Sequence, residues 1–522
     1  MRTPGGAAAA ALVAVLLTGA SLLRAGIPVE APFSGDNGIR LWQAEAYLRG
    51  GSTLPRALPA GAGPASYPPP LSLVSQSGAV SSYPASFPIA ASFLGAGSLP
   101  LARLFVLACT ALSAWPLAVL AGGGMAAGAA AFAISGMAPY AFVFWEHGPA
   151  MLPALVWAAM FMAALRRRDT IPFWILPLAL AIAWRPELLP AAAGASLPLM
   201  SGRGSGPGAR AAWAGWAALA GLAAVPLLVP GILPARVAGN LPGFHDPGAW
   251  LATRLSILSS WTVPAANIPA VAAASGWILV MILPARLAGR TPLRIVAAAS
   301  ALVLLYYFAR KSLGTASAFM LAPGLALAPL LRRHETGSSA RDLQRAALGS
   351  ALVMLLLSPT DGMFQFGPRF LLLPTALIAA SMAGTCIAAG RAGAVLLAAA
   401  AALSVFGSVR GVLFQDFFRL RHAELAASIM EAPEGYIVAT DEEWLPLVAW
   451  SAAVERPVLY SPEPPVRGAL DGRPAFWLSG RSRAMGSYSG AGYRGLTWSG
   501  PGAACLEPPP GDLLPDPWRG IP

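Results

Sequence analysis

Between Arg391 and Arg410 the chain reads AGAVLLAAAAALSVFGSV, residues 392–409, eighteen positions without a charge. A helix rises 1.5 Å per residue, so about twenty such residues cover the roughly 30 Å hydrocarbon core of a bilayer. A helix on the surface of a soluble protein would interleave a polar stripe with this run. Comparable runs recur from residue 7 onward. Across 522 residues AVILMFWYC supply 56% and DEKR only 11%, against about 25% charged in soluble domains. The sequence therefore reads as an all-α polytopic membrane protein, not as a string of soluble domains.

Cutting the chain at charges and at Gly/Pro-rich breaks predicts about 13 transmembrane helices. They lie near 7–25, 101–121, 125–144, 149–165, 171–185, 187–201, 211–232, 266–284, 292–309, 315–331, 345–358, 369–388 and 393–409. Prolines at 177, 186 and 190 allow 171–201 to be a broken hairpin, and 87–100 suits an interfacial segment. Arg24 stands where a signal peptide would need small residues, so the first span is expected to be retained.

Charge bias tests this count independently, because cytoplasmic loops are enriched in Lys and Arg. With the N-terminus inside, alternate loops hold Arg166-Arg167-Arg168, Arg203 with Arg210, Arg286 with Arg290 and Arg294, Arg332-Arg333 with Arg341 and Arg345, and Arg391. All of them fall on one side. The formal charge of +12 thus reads as a topology signal; no basic face interleaved with aromatics points to nucleic acid.

That topology places residues 26–100, 145–148, 233–265, 310–314 and 359–368 outside, with the tail from 410. The domain reading is a transmembrane domain at 1–409, with a long first outer loop at 26–100, and an extramembrane appendage at 410–522. The loop has too little apolar periodicity for a core of its own. Tyr436-Ile437-Val438-Ala439, Pro457-Val458-Leu459-Tyr460, Ala475-Phe476-Trp477-Leu478 and Leu496-Thr497-Trp498 read as strands around a helix at 443–454, a small α/β unit with a Pro-rich end.

Acidic groups number 23, so Asp36 draws notice. It sits in Ser34-Gly35-Asp36-Asn37-Gly38-Ile39-Arg40, ahead of the amphipathic stretch Leu41-Trp42-Gln43-Ala44-Glu45-Ala46-Tyr47-Leu48. Two readings are open for Asp36: a cap for that helix, or a site acid. Arg185, Arg310-Lys311 and Arg369 lie at outer span ends, where a cation either snorkels to headgroups or serves a site. Glu146-His147 occupies a short outer turn. Adjacent residues rarely share a metal, and the four histidines show no zinc spacing. His245-Asp246 reads as a turn, and Asp441-Glu442-Glu443 as the charged start of a helix. Cys109, Cys386 and Cys505 have no ligand spacing. No phosphate-cradling glycine loop follows a strand, so nucleotide-sugar or ATP use finds no support.

The 34–48 stretch resembles the first outer loop of the GT-C superfamily of polyprenyl-phosphate-sugar-dependent glycosyltransferases, including bacterial relatives of the protein mannosyltransferases. Ser82-Tyr83-Pro84-Ala85-Ser86-Phe87-Pro88 is similar to that family's Tyr/His-Pro-Pro-Gly-Tyr-Pro stretch, with Ala85 and Ser86 replacing Pro-Gly. Trp145-Glu146-His147, Trp184-Arg185-Pro186-Glu187, residues 239–245 and residues 366–371 also resemble family stretches, in order along about 400 residues.

The resemblance implies a multi-pass enzyme of the bacterial inner membrane that moves a sugar, with inversion, to a lipid-linked glycan or protein. Asp36 would be the general base. Asn37, Arg40, Tyr83, Glu146, His147, Arg185, Lys311 and Arg369 would contact substrate. The polyprenyl-phosphate sugar is the donor substrate, no cofactor is required with certainty, and use of a divalent metal is left open. A transporter or flippase of lipid-linked sugars and a non-catalytic envelope scaffold are the rival readings; no internal repeat of the kind common in transporters is evident.

Overall fold

The computed structural model describes residues 4–59, 67–75, 78–94, 98–167, 173–201, 209–217, 219, 247–263, 267–283, 285–288, 290–310, 317–334, 338–358, 369–431, 437–440, 443–460, 475–479 and 497–498. Its contacts divide the chain into two compact units. A helical unit holds Met1–Ala20, Leu107–Ala141 and Glu146–Val412; a loop-and-tail unit holds Ser21–Val106, Phe142–Trp145 and Leu413–Pro522.

Among the described residues, six helices are long and apolar enough to cross a membrane: Pro4–Leu22, Leu99–Leu120, His147–Arg166, Thr291–Ala309, Arg369–Ala388 and Gly390–Ala427. Large apolar side chains face outward on them, and many of the buried positions are small. Leu302 and Val395 are about 70% exposed, whereas Ala297, Ala301 and Ala400 are buried. Without a hydrophobic drive between helices in lipid, association depends on close packing of small residues. Gly194 and Gly349 illustrate this, since a Cβ on either would strike the other's carbonyl oxygen.

The remaining expected spans differ from the prediction. Residues 125–144 form the helix Met125–Ser135 and then a 3-10 turn, Ala138–Phe142. The pair expected at 171–185 and 187–201 forms Ile175–Trp184 and Leu188–Ser201, about 15 and 21 Å long. Each is too short to cross alone, and the break falls at Arg185–Glu187 beside Pro186.

The run at 266–284 is the 15-residue helix Ile268–Ile282. Residues 315–331 become a short helix, Ala318–Leu321, followed by a 12-residue 3-10 segment, Pro323–His334. Pro323 and Pro329 remove the N–H groups that an α-helix would need there. The expected span 345–358 overlaps Ser338–Leu357, whose first turns carry Arg341, Asp342 and Arg345. Most of 211–232 lies outside the described residues.

The last run extends well past Val409. Gly390–Glu431 is one helix of 42 residues, about 63 Å long, so the domain border expected at 409/410 falls within a continuous element. At one end of the helical unit, Arg166 Nη2 donates to Ser339 Oγ at 2.5 Å, joining two of the Arg-bearing segments that charge bias had placed on one side.

In the loop-and-tail unit, Gly35–Leu48 is a helix whose apolar residues Ile39, Leu41, Trp42, Ala44 and Ala46 are buried. Its N-cap is Ser34, whose Oγ accepts from the Asn37 N–H at 3.4 Å; Asp36 sits in the first turn and is not the cap. An antiparallel hairpin pairs β1 (Ser72–Ser75) with β2 (Gly78–Ser81), and the helix Ser86–Leu94 follows.

The tail forms a sheet in the order β4-β3-β5-β6. β3 (Ile437–Thr440) runs parallel to β4 (Val458–Tyr460) and to β5 (Ala475–Ser479), and β5 is antiparallel to β6 (Thr497–Trp498). All four strands fall where the β-branched and aromatic runs predict them. The helix expected at 443–454 is split into Leu445–Val448 and Trp450–Glu455. Its acidic approach at Asp441 and Glu442 lies outside the described residues.

The first loop borrows the core it lacks from the tail. Ala57 N–H donates to the Ala453 carbonyl at 2.9 Å, Arg56 Nη2 reaches the Val458 carbonyl at 3.5 Å, and Trp450 Nε1 donates to the Glu30 carbonyl at 2.8 Å. Gly38 lies so close to Leu447 that an added Cβ would overlap its backbone carbonyl. A backbone oxygen cannot swing away as a side chain can, so Gly38→Ala should destabilise this unit by about 1–3 kcal/mol. Limited proteolysis of the tail checks this, and unchanged resistance would show that the approach is looser than described.

Candidate functional site

Asp36 and Tyr83 are both partly exposed, and Tyr83 Oη donates to Asp36 Oδ1 at 2.8 Å. Their positions follow from the local fold. The Ser34 cap puts Asp36 in the first turn of the helix, one turn before Arg40, where it meets the segment leaving β2. That segment is then fastened from beneath: Arg40 Nη1 donates to the Pro84 carbonyl at 2.8 Å, and Gln43 Nε2 to the Tyr83 carbonyl at 3.4 Å. The Arg40 guanidinium also lies over the Tyr83 ring, 4.5 Å from its centroid. An aromatic face attracts a cation by its quadrupole, so the phenol that meets Asp36 is held at its backbone and at its ring.

Two residues expected to meet substrate here are buried instead. Asn37 is fully buried; its Nδ2 donates to the Phe144 carbonyl at 2.7 Å and its Oδ1 accepts from the Phe33 N–H at 2.9 Å. It clasps the start of the helix to the Phe142–Trp145 segment. Arg40 is 2% exposed and supports Tyr83. Both side chains bind the backbone in this structure.

A second group lies in the helical unit and gathers Glu146, His147, Arg185 and Arg369 at the ends of three helices, beside a 3-10 turn. The 3-10 turn Ala138–Phe142 presents Tyr140, His147 opens the helix His147–Arg167, Arg185 ends Ile175–Trp184, and Arg369 precedes Leu372–Ala388. Arg185 Nη2 donates to the Arg369 carbonyl at 2.5 Å, and Arg185 Nε stands 3.8 Å from Glu187 Oε2. The Phe370 ring lies near both guanidiniums, at 4.9 Å from Arg369 and 5.9 Å from Arg185.

Glu146 Oε1 is 3.9 Å from His147 Nδ1, too long for a hydrogen bond, and the His147 ring meets Tyr140 edge-on at 5.8 Å. Glu146, His147, Arg185 and Tyr140 are all buried. These residues lie near one another in the helical unit. Sequence reasoning missed two members, Tyr140 and Glu187. Glu187 was visible two positions after Arg185, but Tyr140 looked like part of an apolar span.

Lys311, His245, Asp246 and residues 366–368 lie outside the described residues, as does Cys505; Cys109 and Cys386 are buried and free. Among the described residues no group of three or more His, Cys, Asp or Glu could hold a metal ion.

Neither protein-family models nor curated proteins match this chain. The chemistry must therefore be argued from the two groups themselves. A half-buried carboxylate oriented by a phenol can accept a proton from a hydroxyl. A pair of arginines steadied by carboxylates and an aromatic ring can face an oxyanion.

Proposed function

We propose that this protein is an inverting membrane glycosyltransferase that takes a sugar from a polyprenyl-phosphate donor and attaches it to a lipid-linked glycan or protein. The observation that carries this reading is Asp36, a partly exposed carboxylate whose Oδ1 is held by Tyr83 Oη at 2.8 Å. In the reaction, the acceptor oxygen forms its bond to the anomeric carbon as its proton passes to Asp36. The bond from that carbon to the phosphate oxygen breaks, and its electron pair leaves with the polyprenyl phosphate. Charge therefore grows on the phosphate, where fixed cations stabilise the transition state more than the ground state. The sequence resemblance is what assigns that role to Arg185 and Arg369.

The GT-C-like sequence stretches support the same class, and the charge bias supports a cytoplasmic N-terminus, an outer-facing tail and residence in a bacterial inner membrane. Turnover of a panel of polyprenyl-phosphate sugars by the purified chain in nanodiscs tests the proposal. Transfer from any of them supports it; a folded chain that releases sugar from none removes the enzyme reading in favour of a transporter or scaffold.

Tyr83→Phe removes one hydrogen bond to a charged group and keeps the ring on Arg40. Transfer should fall about tenfold, with a stability loss of about 1–3 kcal/mol. Kinetics beside a melting curve check this, and wild-type turnover would show that Tyr83 does not position Asp36.

A further inference from the structure

The loop-and-tail unit also holds three arginines around one carboxylate, apart from the Asp36 group. Arg24 comes two residues after the helix Pro4–Leu22, Arg103 lies near the start of Leu99–Leu112, and Arg419 stands on Gly390–Glu431. Arg24 grips Asp416 with the side-on fork of its guanidinium: Nε donates to Oδ2 at 2.5 Å and Nη2 to Oδ1. Arg419 is buried and donates from Nε to the Ala31 carbonyl at 3.1 Å and from Nη2 to the Pro28 carbonyl at 2.8 Å; its Nη1 is 3.6 Å from Asp416 Oδ1.

Arg103 lies in the electrostatic field of Arg24, Arg419, Asp416 and Glu30. Its own side-on fork, Nε and Nη2, is shielded from water and has no hydrogen-bond partner among the described residues. Buried polar groups almost always have partners. The fork that is filled by a carboxylate on Arg24 is thus unfilled on Arg103, in a cluster of three guanidiniums and two carboxylates.

The surroundings say what kind of anion fits. Leu101 and Leu104 beside Arg103, and Leu22 and Leu23 beside Arg24, are large apolar residues exposed by 44–90%. Leu22, Leu101 and Leu104 lie on helices long and apolar enough to cross a membrane, and Leu23 follows the first of them. An oxyanion that arrives attached to acyl or prenyl chains satisfies both the fork and these leucines.

We propose that Arg103, steadied by Arg24, Asp416 and Arg419, binds the phosphate group of a membrane lipid, two phosphate oxygens taking its Nε and Nη2. This inference does not depend on sugar transfer. The lipid is either an anionic glycerophospholipid or a polyprenyl phosphate, and binding experiments separate the two.

The delipidated full-length chain, wild type and Arg103→Gln, is titrated by native mass spectrometry with phosphatidylglycerol, undecaprenyl phosphate and inorganic phosphate, and melting curves confirm folding. Loss of a bidentate charged contact should weaken the bound lipid about tenfold. A tenfold loss for phosphatidylglycerol assigns the site to headgroups, and for undecaprenyl phosphate alone to the carrier lipid. Equal lipid binding by the two proteins overturns the proposal, and so does discrimination confined to inorganic phosphate.

Should Arg103→Gln not fold, hydrogen exchange of the wild-type segment 98–106 decides. Slower exchange in phosphatidylglycerol or undecaprenyl-phosphate nanodiscs than in phosphatidylcholine supports the site; identical exchange in all three overturns it.

Discussion

Asp36→Asn is expected to lower sugar transfer by about 10²–10⁴-fold, the usual contribution of a general base, in a chain that still folds. Asparagine keeps the shape of the side chain and an oxygen able to accept from Tyr83 Oη, and the Ser34 cap is untouched. The fold loses one negative charge in the first turn of the helix, worth about 0.3–1 kcal/mol against the helix dipole. Sugar release from the productive donor, measured beside a melting curve, separates the two effects. Full activity in the variant would remove Asp36 from the chemistry, whereas equal loss of activity and of fold would make it structural.

Arg185→Met should have the largest effect on stability. The Arg185 side chain is 2% exposed and fastens the break at Pro186 to the Arg369 carbonyl, with Glu187 beside it. Removing one member of a buried charged group strands the others, at a cost of about 3–5 kcal/mol. Arg185→Lys keeps the charge but loses the planar fork, so it should fall between wild type and Arg185→Met. Thermal unfolding in detergent ranks the three. If Arg185→Met melts with the wild type, the group tolerates the loss, and Arg185 is free to serve an oxyanion alone.

How far these features could be read from the chain depended on the range of the forces involved. The strands Ile437–Thr440 and Val458–Tyr460 were legible because β-branched and aromatic residues favour extended backbone locally. The gathering of Glu146, Arg185 and Arg369 was legible from charge bias, which sorts loop ends to one side without knowledge of packing. Pro323–His334 was not legible as a 3-10 segment, since its composition satisfies the hydropathy of a span while its two prolines act only on hydrogen bonding. Asn37 was expected to contact substrate beside Asp36; its clasp on Phe144, 107 residues away, has no local signature. The same holds for the core of the first loop, since part of what packs on its helix lies in the tail.

That last feature has a consequence in time. Arg56 and the Val458 carbonyl it reaches are separated by 402 residues, and a ribosome adds about 5–20 residues per second. The segment bearing Asp36 must therefore wait on the order of 20–80 s after its own synthesis before its partner strand exists. Throughout that interval the Gly35–Leu48 helix can pack on Ser86–Leu94, but the part of it that meets Leu445–Val448 and Trp450–Glu455 has nothing native to cover it. A chain released early, short of Leu447, would keep every expected span and still leave this helix only partly packed.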